Sequence, residues 1–238
     1  MSIYYKDDYV TIYCGYSQDI VPNLNEKVDL VLTDPPYGIN GGTGGTSKKR
    51  GKGNYSGGLF EDTREGVIKN IIPIIKMCID KYNRVIVTPG FRNMCFYPQP
   101  DSFGCFYQPA GLGIQHWGFC DSQPIFYYGR SPYAGKACYP CSFTVSEKPM
   151  TKQHPCSKPL SAWKKLLILG SNNTDDVILD PFGGAGTTAV AAKELGRKSI
   201  IIECNEKYCE VAAKILETTT VDMFLETKET SFEEQSLF

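Results

Sequence analysis

Val28-Asp29-Leu30-Val31-Leu32-Thr33-Asp34-Pro35-Pro36-Tyr37-Gly38 is the stretch from which the rest of the chain is read. Val28, Leu30, Val31 and Leu32 make the short apolar run of a buried strand. Pro35 and Pro36 have no N–H, so the ladder cannot continue and the strand ends here. A carboxylate (Asp34), two carbonyls and an aromatic ring (Tyr37) are thereby held at the carboxyl end of a strand. In open α/β sheets that edge is where ligands sit.

An amino group on a planar ring is one chemistry that uses these groups together. Asp34 and the carbonyl of Pro35 can each accept one N–H, and Tyr37 can stack on the ring. The plainer reading is a strand-ending turn with a packed tyrosine, and motifs elsewhere decide between the two. Asp180-Pro181-Phe182-Gly183-Gly184-Ala185-Gly186-Thr187-Thr188 is a glycine-rich turn after a second apolar run, Asp176–Leu179. His154-Pro155-Cys156-Ser157-Lys158-Pro159-Leu160 precedes it.

These three motifs resemble those of the amino-methylating DNA methyltransferases. Thr33–Gly38 is similar to their D-P-P-Y motif, Asp180–Thr188 to their S-adenosylmethionine motif, and His154–Leu160 to the H-P-x-x-K-P segment before it. The catalytic motif comes first, as in the β class, and the similarity runs from about Val10 to Leu216. The resemblance implies an α/β, Rossmann-like methyltransferase fold, with a doubly wound, mostly parallel sheet of about seven strands in permuted motif order. It implies a site-specific DNA methyltransferase moving a methyl group to the N6 amino group of a flipped-out adenine. An N4-cytosine enzyme and a non-catalytic nucleic-acid-binding subunit are the alternatives. A protein-glutamine methyltransferase fits less well, because that family carries N-P-P-Y after its cofactor motif.

Residue by residue, the resemblance assigns catalysis to Asp34, Pro35, Pro36 and Tyr37. It assigns S-adenosylmethionine to Ser157, Lys158, Pro159, Asp180, Pro181, Phe182, Gly183, Gly184, Ala185, Gly186, Thr187, Thr188, Glu203 and Cys204. Glu203 ends the strand after the glycine turn, where an acid can accept both ribose hydroxyls. Ser157 and Lys158 stand at a helix N-terminus suited to the methionyl carboxylate. The family often places Asp after a glycine near the first strand to contact the cofactor's adenine. Here Gly15 is followed by Tyr16, leaving Tyr16 or Ser17 for that side.

Residues 40–58 contain eight glycines, four basic residues (Lys48, Lys49, Arg50, Lys52) and no acid. Such a segment cannot bury apolar surface, and it begins just after Tyr37. It reads as a mobile basic loop that grips a phosphate backbone, with the four basic residues as DNA contacts. Residues 129–152 read as a small target-recognition insert. Its size implies a partner subunit, a homodimer or a short recognition sequence.

The 238 residues suffice for one sizeable α/β domain, placed at 1–216, followed by an acidic tail at 217–238. The tail carries six acids and one lysine, a net −5, which leaves the body at +4 within a whole-chain −1. A mildly basic body is compatible with DNA. No apolar run approaches a membrane span and the first residues lack a signal-peptide core, so the reading expects a cytoplasmic protein. Ten cysteines without a secretory signal read as free thiols. Cys138 and Cys141 have zinc-ligand spacing but lack a second pair, and no metal is expected.

Further elements follow from pattern. Tyr9–Tyr13 reads as an edge strand, Ser17–Val21 as a short helix and Arg84–Thr88 as a buried strand. Glu61–Tyr82 reads as a helix capped by Asp62 or Thr63, kinked by Pro73, with Val67, Ile68, Ile71, Ile72, Ile75, Cys78 and Ile79 as its stripe. Gly113–Phe119 and Pro124–Gly129 read as strand pieces of an antiparallel segment. Phe91, Trp117 and Tyr128 are candidates to border a base pocket, against a default of sheet core. Ser161–Leu169 reads as a helix. Asp176–Asp180, Thr187–Leu195 and Ser199–Glu203 form a βαβ unit. Glu206–Leu216 is a last helix with Tyr208, Val211, Ala212 and Ile215 inward.

Overall fold

Every strand that carries a chemical motif is short and apolar, and each is buried on both faces. The computed structural model describes residues 2–38, 63–109, 113–115, 117–136, 138–146 and 158–221. The chain starts with β1 (Ser2–Lys6), β2 (Val10–Cys14), α1 (Ser17–Ile20) and β3 (Leu30–Thr33). Next come α2 (Arg64–Gly66), a π-helical stretch (Val67–Ile71), α3 (Ile72–Lys81) and β4 (Arg84–Val87). Five strands follow: β5 (Ser102–Tyr107), β6 (Gly113–Gln115), β7 (Gly118–Cys120), β8 (Ser122–Gly129) and β9 (Phe143–Thr144). The chain then forms α4 (Leu160–Gly170), β10 (Val177–Asp180), α5 (Thr187–Glu194), β11 (Lys198–Glu203) and α6 (Glu206–Thr218).

Nine strands make one sheet in the order β1-β2-β11-β10-β3-β4-β8-β5-β9. From β2 to β4 all neighbours are parallel, and β3 lies directly beside β10. Beyond β4 the sheet turns antiparallel through β8 and β5. Alternation along the strands sorts the core into two layers. Val31, Val85, Val87, Leu179 and Ile202 pack on one face with Ile72, Ile75 and Cys78 of α3. Leu30, Leu32, Ile86 and Ile178 pack on the other with Trp163, Leu166 and Leu167 of α4. Val10, Ile12 and Ile201 meet α5 and α6 on that second side. The sheet is therefore doubly wound and Rossmann-like, with the D-P-P-Y stretch after β3 coming before the glycine turn after β10 in sequence and lying next to it in space.

Several expectations shift. The sheet has nine strands rather than about seven. β1 pairs outside β2, so Tyr9–Tyr13 does not mark the edge. β1 is mostly exposed and carries no alternation from which to read it. Gly113–Phe119 is not one strand but the start of the two-stranded hairpin β6–β7. Thr63 is the cap: its Oγ1 accepts the Gly66 N–H at 3.0 Å. Pro73 sits in the first turn of α3, where its missing N–H costs nothing, and the wider π turn lies just upstream. That turn rotates Ile68 out to 40% exposure and leaves Ile74 buried in the stripe. On α6 the buried residues are Cys209, Ala212, Ala213 and Leu216, so the inward face is rotated from the expected one.

One close approach fixes how the βαβ unit packs. A Cβ on Gly183 would stand 2.0 Å from Cγ2 of Ile201, a fully buried side chain on β11. Gly183→Ala is expected to lower unfolding free energy by about 1–3 kcal/mol through overpacking. Urea denaturation followed by circular dichroism checks this, and an unchanged midpoint would remove the constraint.

Candidate functional site

Because β3, β10 and β11 are adjacent and parallel, Asp34, Asp180 and Glu203 come to the same edge of the sheet. Their environments differ, and so do the roles open to them.

Asp34 follows β3 directly and is partly exposed, with 16% of its side chain accessible. One oxygen, Oδ1, accepts hydrogen bonds from the Tyr37 hydroxyl and from Oγ1 of Thr88, just past β4. The other, Oδ2, lies 2.9 Å from Nζ of Lys158. Lys158 Nζ also donates to the Tyr37 hydroxyl at 3.0 Å and stands 4.8 Å from the centre of the Tyr37 ring. Gln123 Nε2 donates to that hydroxyl at 2.7 Å, and Asn93 Nδ2 donates to the Tyr37 carbonyl at 2.6 Å. Burial, and then the charge of Asp34, push the Tyr37 phenol well above its usual range, so it stays protonated. Gly90, at φ +66°, packs so closely that a Cβ would meet the Tyr37 ring at 2.8 Å.

Asp180 is sealed. Its carboxylate accepts from Thr33 Oγ1 at 2.6 Å, from the Phe182 N–H at 3.0 Å and from Oγ1 of Thr188. Thr188 in turn accepts from Nε1 of the buried Trp163 at 2.9 Å. Burial pushes the Asp180 carboxyl up to about 6. Asp180, Thr187 and Thr188 thus lie inside the wall of the turn and not on an open face. The glycine turn itself has Gly184 at φ +52° and Gly186 at φ +81°, the latter leading into α5.

Glu203 faces that turn. Its Oε2 accepts the Gly184 N–H and its Oε1 the Asn205 N–H, both at 2.8 Å. Cys204 Sγ donates to Oε1 at 3.7 Å. Burial raises the Glu203 carboxyl above its ordinary value, and the two N–H bonds pull against that rise. Ser17 Oγ donates to the Pro181 carbonyl, tying α1 to the turn. Tyr16, at 42% exposure, keeps an open surface.

Lys158 therefore stands on Asp34 and Tyr37 and not in a carboxylate cradle of its own. Pro159 is the residue before α4. Thr88, Asn93 and Gln123 were missed by sequence reading. Gln123 carried a signal, as a polar residue inside an apolar strand. Thr88 needed the knowledge that β4 neighbours β3. Tyr128 is buried in the core, Phe91 is 46% exposed, and Trp117, next to β7, is fully exposed. Ser157, Lys48, Lys49, Arg50 and Lys52 lie outside the described residues, as does most of the acidic tail. The nine described cysteines are free thiols, and no metal-holding cluster occurs among the described residues.

Residues 128–214 match the family model for the N6/N4 DNA methylases, described as DNA methylase. The chain is 43% identical over 75 residues to Type II methyltransferase M2.LlaDCHI of Lactococcus lactis subsp. cremoris. Over this stretch the chain is similar to the N6/N4 amino-methyltransferases. That match covers 32% of this chain and spans 28% of the relative's length. Its fold is similar to M1.HpyAVI in a structure described as a SAM complex, with TM-score 0.61, 19% identity, and 87% and 98% of the two chains covered. It is equally similar to PvuII DNA methyltransferase, described as cytosine-N4-specific, with TM-score 0.61, 16% identity, and coverage of 91% and 95%.

The Asp180 network generates a pH dependence with a definite sign. The folded value of about 6 lies above the ordinary 3.8. Between the two, the folded chain holds a proton that the unfolded chain has lost. This group therefore adds stability as pH falls from about 7 towards 4, by no more than about 3 kcal/mol. Asp180→Asn cannot titrate, so the parent should gain stability relative to that variant on going from about pH 7.5 to about pH 5. Urea unfolding at both pH values checks it, and a constant difference would mean that the carboxyl is not perturbed.

Proposed function

We propose that this chain is a site-specific DNA methyltransferase that moves a methyl group from S-adenosyl-L-methionine to the N6 amino group of a flipped-out adenine. The observation that carries the reading is the placement of Asp34-Pro35-Pro36-Tyr37 and the 181–186 turn at the carboxyl ends of two neighbouring parallel strands.

The turn fits the cofactor. Gly183 and Gly184 present backbone without Cβ atoms, Oε2 of Glu203 accepts one N–H and keeps a lone pair for a ribose hydroxyl, and Oε1 would take the second by giving up the weak Cys204 S–H. Ser17 is committed to the turn, which leaves Tyr16 for the adenine side. Ser157 and the free N–H groups of the first turn of α4, which Pro159 precedes, would address the methionyl carboxylate. When bound, S-adenosylmethionine supplies a methyl group already activated as a sulfonium.

An aromatic amine is a poor nucleophile because its lone pair is spread into the ring. Asp34 and the Pro35 carbonyl, each accepting one N–H, favour a pyramidal nitrogen, and the carboxylate stabilises the positive charge that develops there. Thr88 and Tyr37 hold Asp34 in place, and Gln123 and Asn93 hold Tyr37. Lys158 donates to Asp34 and lies over the ring of Tyr37, which is how the target's amino group and ring would be held. The target must therefore displace that ammonium. A base inside a duplex cannot reach this site, so it is extruded, with Tyr37 stacking on it.

D-P-P-Y favours adenine by resemblance; cytosine N4 is the second reading, supported by the likeness in fold to the PvuII enzyme. Residues 1–216 act as the catalytic unit, with Lys48, Lys49, Arg50 and Lys52 on the phosphate backbone. The short 129–152 insert favours a second copy or a partner subunit in target recognition. Among the described residues no helix is long and apolar enough to cross a membrane.

The test is methyl transfer from labelled S-adenosylmethionine to unmethylated DNA, with nucleoside mass spectrometry of the product. N6-methyladenine is expected, whereas N4-methylcytosine would move the target. Asp34→Ala should cut turnover by about 100-fold or more while cofactor binding persists. Retained turnover would sink its role. Glu203→Ala should do the reverse and weaken cofactor affinity about tenfold or more by calorimetry, as expected when hydrogen bonds to a charged group are lost. Unchanged affinity would remove Glu203 from the site.

A further inference from the structure

The segment between β4 and β5 is tied to the catalytic loop at several points. Gly90 packs on the Tyr37 ring and Asn93 holds the Tyr37 carbonyl. Yet this short segment exposes three large apolar side chains: Phe91 at 46%, Met94 at 41% and Phe96 at 40%. Two exposed arginines lie on its rings. Arg92 stands 5.7 Å from the centre of Phe91, and Arg64 of α2 stands 5.7 Å from the centre of Phe96. Among the described residues, two buried polar atoms of the same segment have no partner, Asn93 Oδ1 and the Tyr97 hydroxyl. Unpaired buried atoms make a segment costly to hold and able to adjust when a ligand arrives.

We propose that Phe91, Met94 and Phe96, flanked by Arg64 and Arg92, form the surface that meets duplex DNA beside the extruded base. This rests on the function proposed above. Extruding a base leaves a gap in the stack, and apolar wedges at such gaps offset the lost stacking. Arginine on an aromatic face is suited both to bases and to phosphates. Charge selects the occupant. Arg64 and Arg92 are both cations and both lie on these rings, so a second copy packed on them about a two-fold axis would bring like charges together. A polyanion would not.

The experiment compares Phe91→Ala/Met94→Ala with the parent on unmethylated plasmid DNA, as duplex and as heat-denatured single strands. The double variant should lose about tenfold in kcat/KM on duplex and less than about twofold on single strands, where there is no stack to open. Its cofactor affinity by calorimetry and its mass by light scattering should match the parent. Equal loss on both substrates, no loss on duplex, or a change of oligomeric state would overturn the proposal. If the parent methylates neither form, the functional reading fails, and binding of a labelled duplex then decides this surface alone. Arg64→Gln/Arg92→Gln should lower duplex affinity and flatten its salt dependence. Unchanged duplex affinity and salt dependence would overturn it.

Discussion

The Asp180 carboxylate is the constraint on which the site depends. It accepts from Thr33 on β3, from Thr188 on α5, and from the N–H of Phe182 inside the glycine turn. One buried group thereby joins the strand that delivers Asp34 to the turn that would hold the cofactor. Taking a carboxylate out of water is costly, and the cost is offset only while all its donors stay in place. The carboxyl value pushed up to about 6 reflects a balance tilted towards that cost. Two separately folded strands could drift in register. Two strands bolted through one anion cannot drift without leaving it unpaired.

From that joint Asp34 and Tyr37 are supported outward. Thr88 orients Asp34 from β4, and Gln123 and Asn93 fix Tyr37 from β8 and from the segment after β4. These supports come from the antiparallel side of the sheet, whereas the cofactor turn is supported from the parallel side through Ser17 and Glu203. The two reactants would thus meet at the seam where the sheet changes direction. Orientation from both sides is what methyl transfer needs, because an activated methyl requires placement more than further activation.

Much of this was legible in the sequence, for physical reasons. The double proline after Val28–Thr33 could only end a strand, and the glycine turn between two apolar runs could only be a βαβ connection. What escaped was set by partners distant in sequence. β1 is paired but barely buried, so it shows no alternation. The hairpin β6–β7 hides in a run rich in glycine and aromatics. The inward face of α6 is fixed by how Gly186 and Ala212 meet, since a Cβ on that glycine would lie 2.9 Å from the alanine's own. Asp180 matched a cofactor motif, yet its carboxylate serves the wall of the site. A motif match marks which residues recur together and leaves open which of them face the ligand.

Lys158 shows the same limit from the other direction. Resemblance placed it at the cofactor, and the structure places its ammonium on Asp34 and over Tyr37. With the Tyr37 and Thr88 hydroxyls alone, the Asp34 carboxylate at this partly closed sheet edge would have no counter-charge. A lysine on a flexible stem supplies that counter-charge and can withdraw, as a rigidly forked guanidinium could not. While the pair is closed, the field of Asp34 is cancelled and no amine can be drawn to it. In the function proposed above, a target amine would take the ammonium's place, and the same carboxylate would then face a nitrogen on which positive charge grows. The ammonium would thus hold the geometry for the target, and the electrostatic advantage would come only when it leaves.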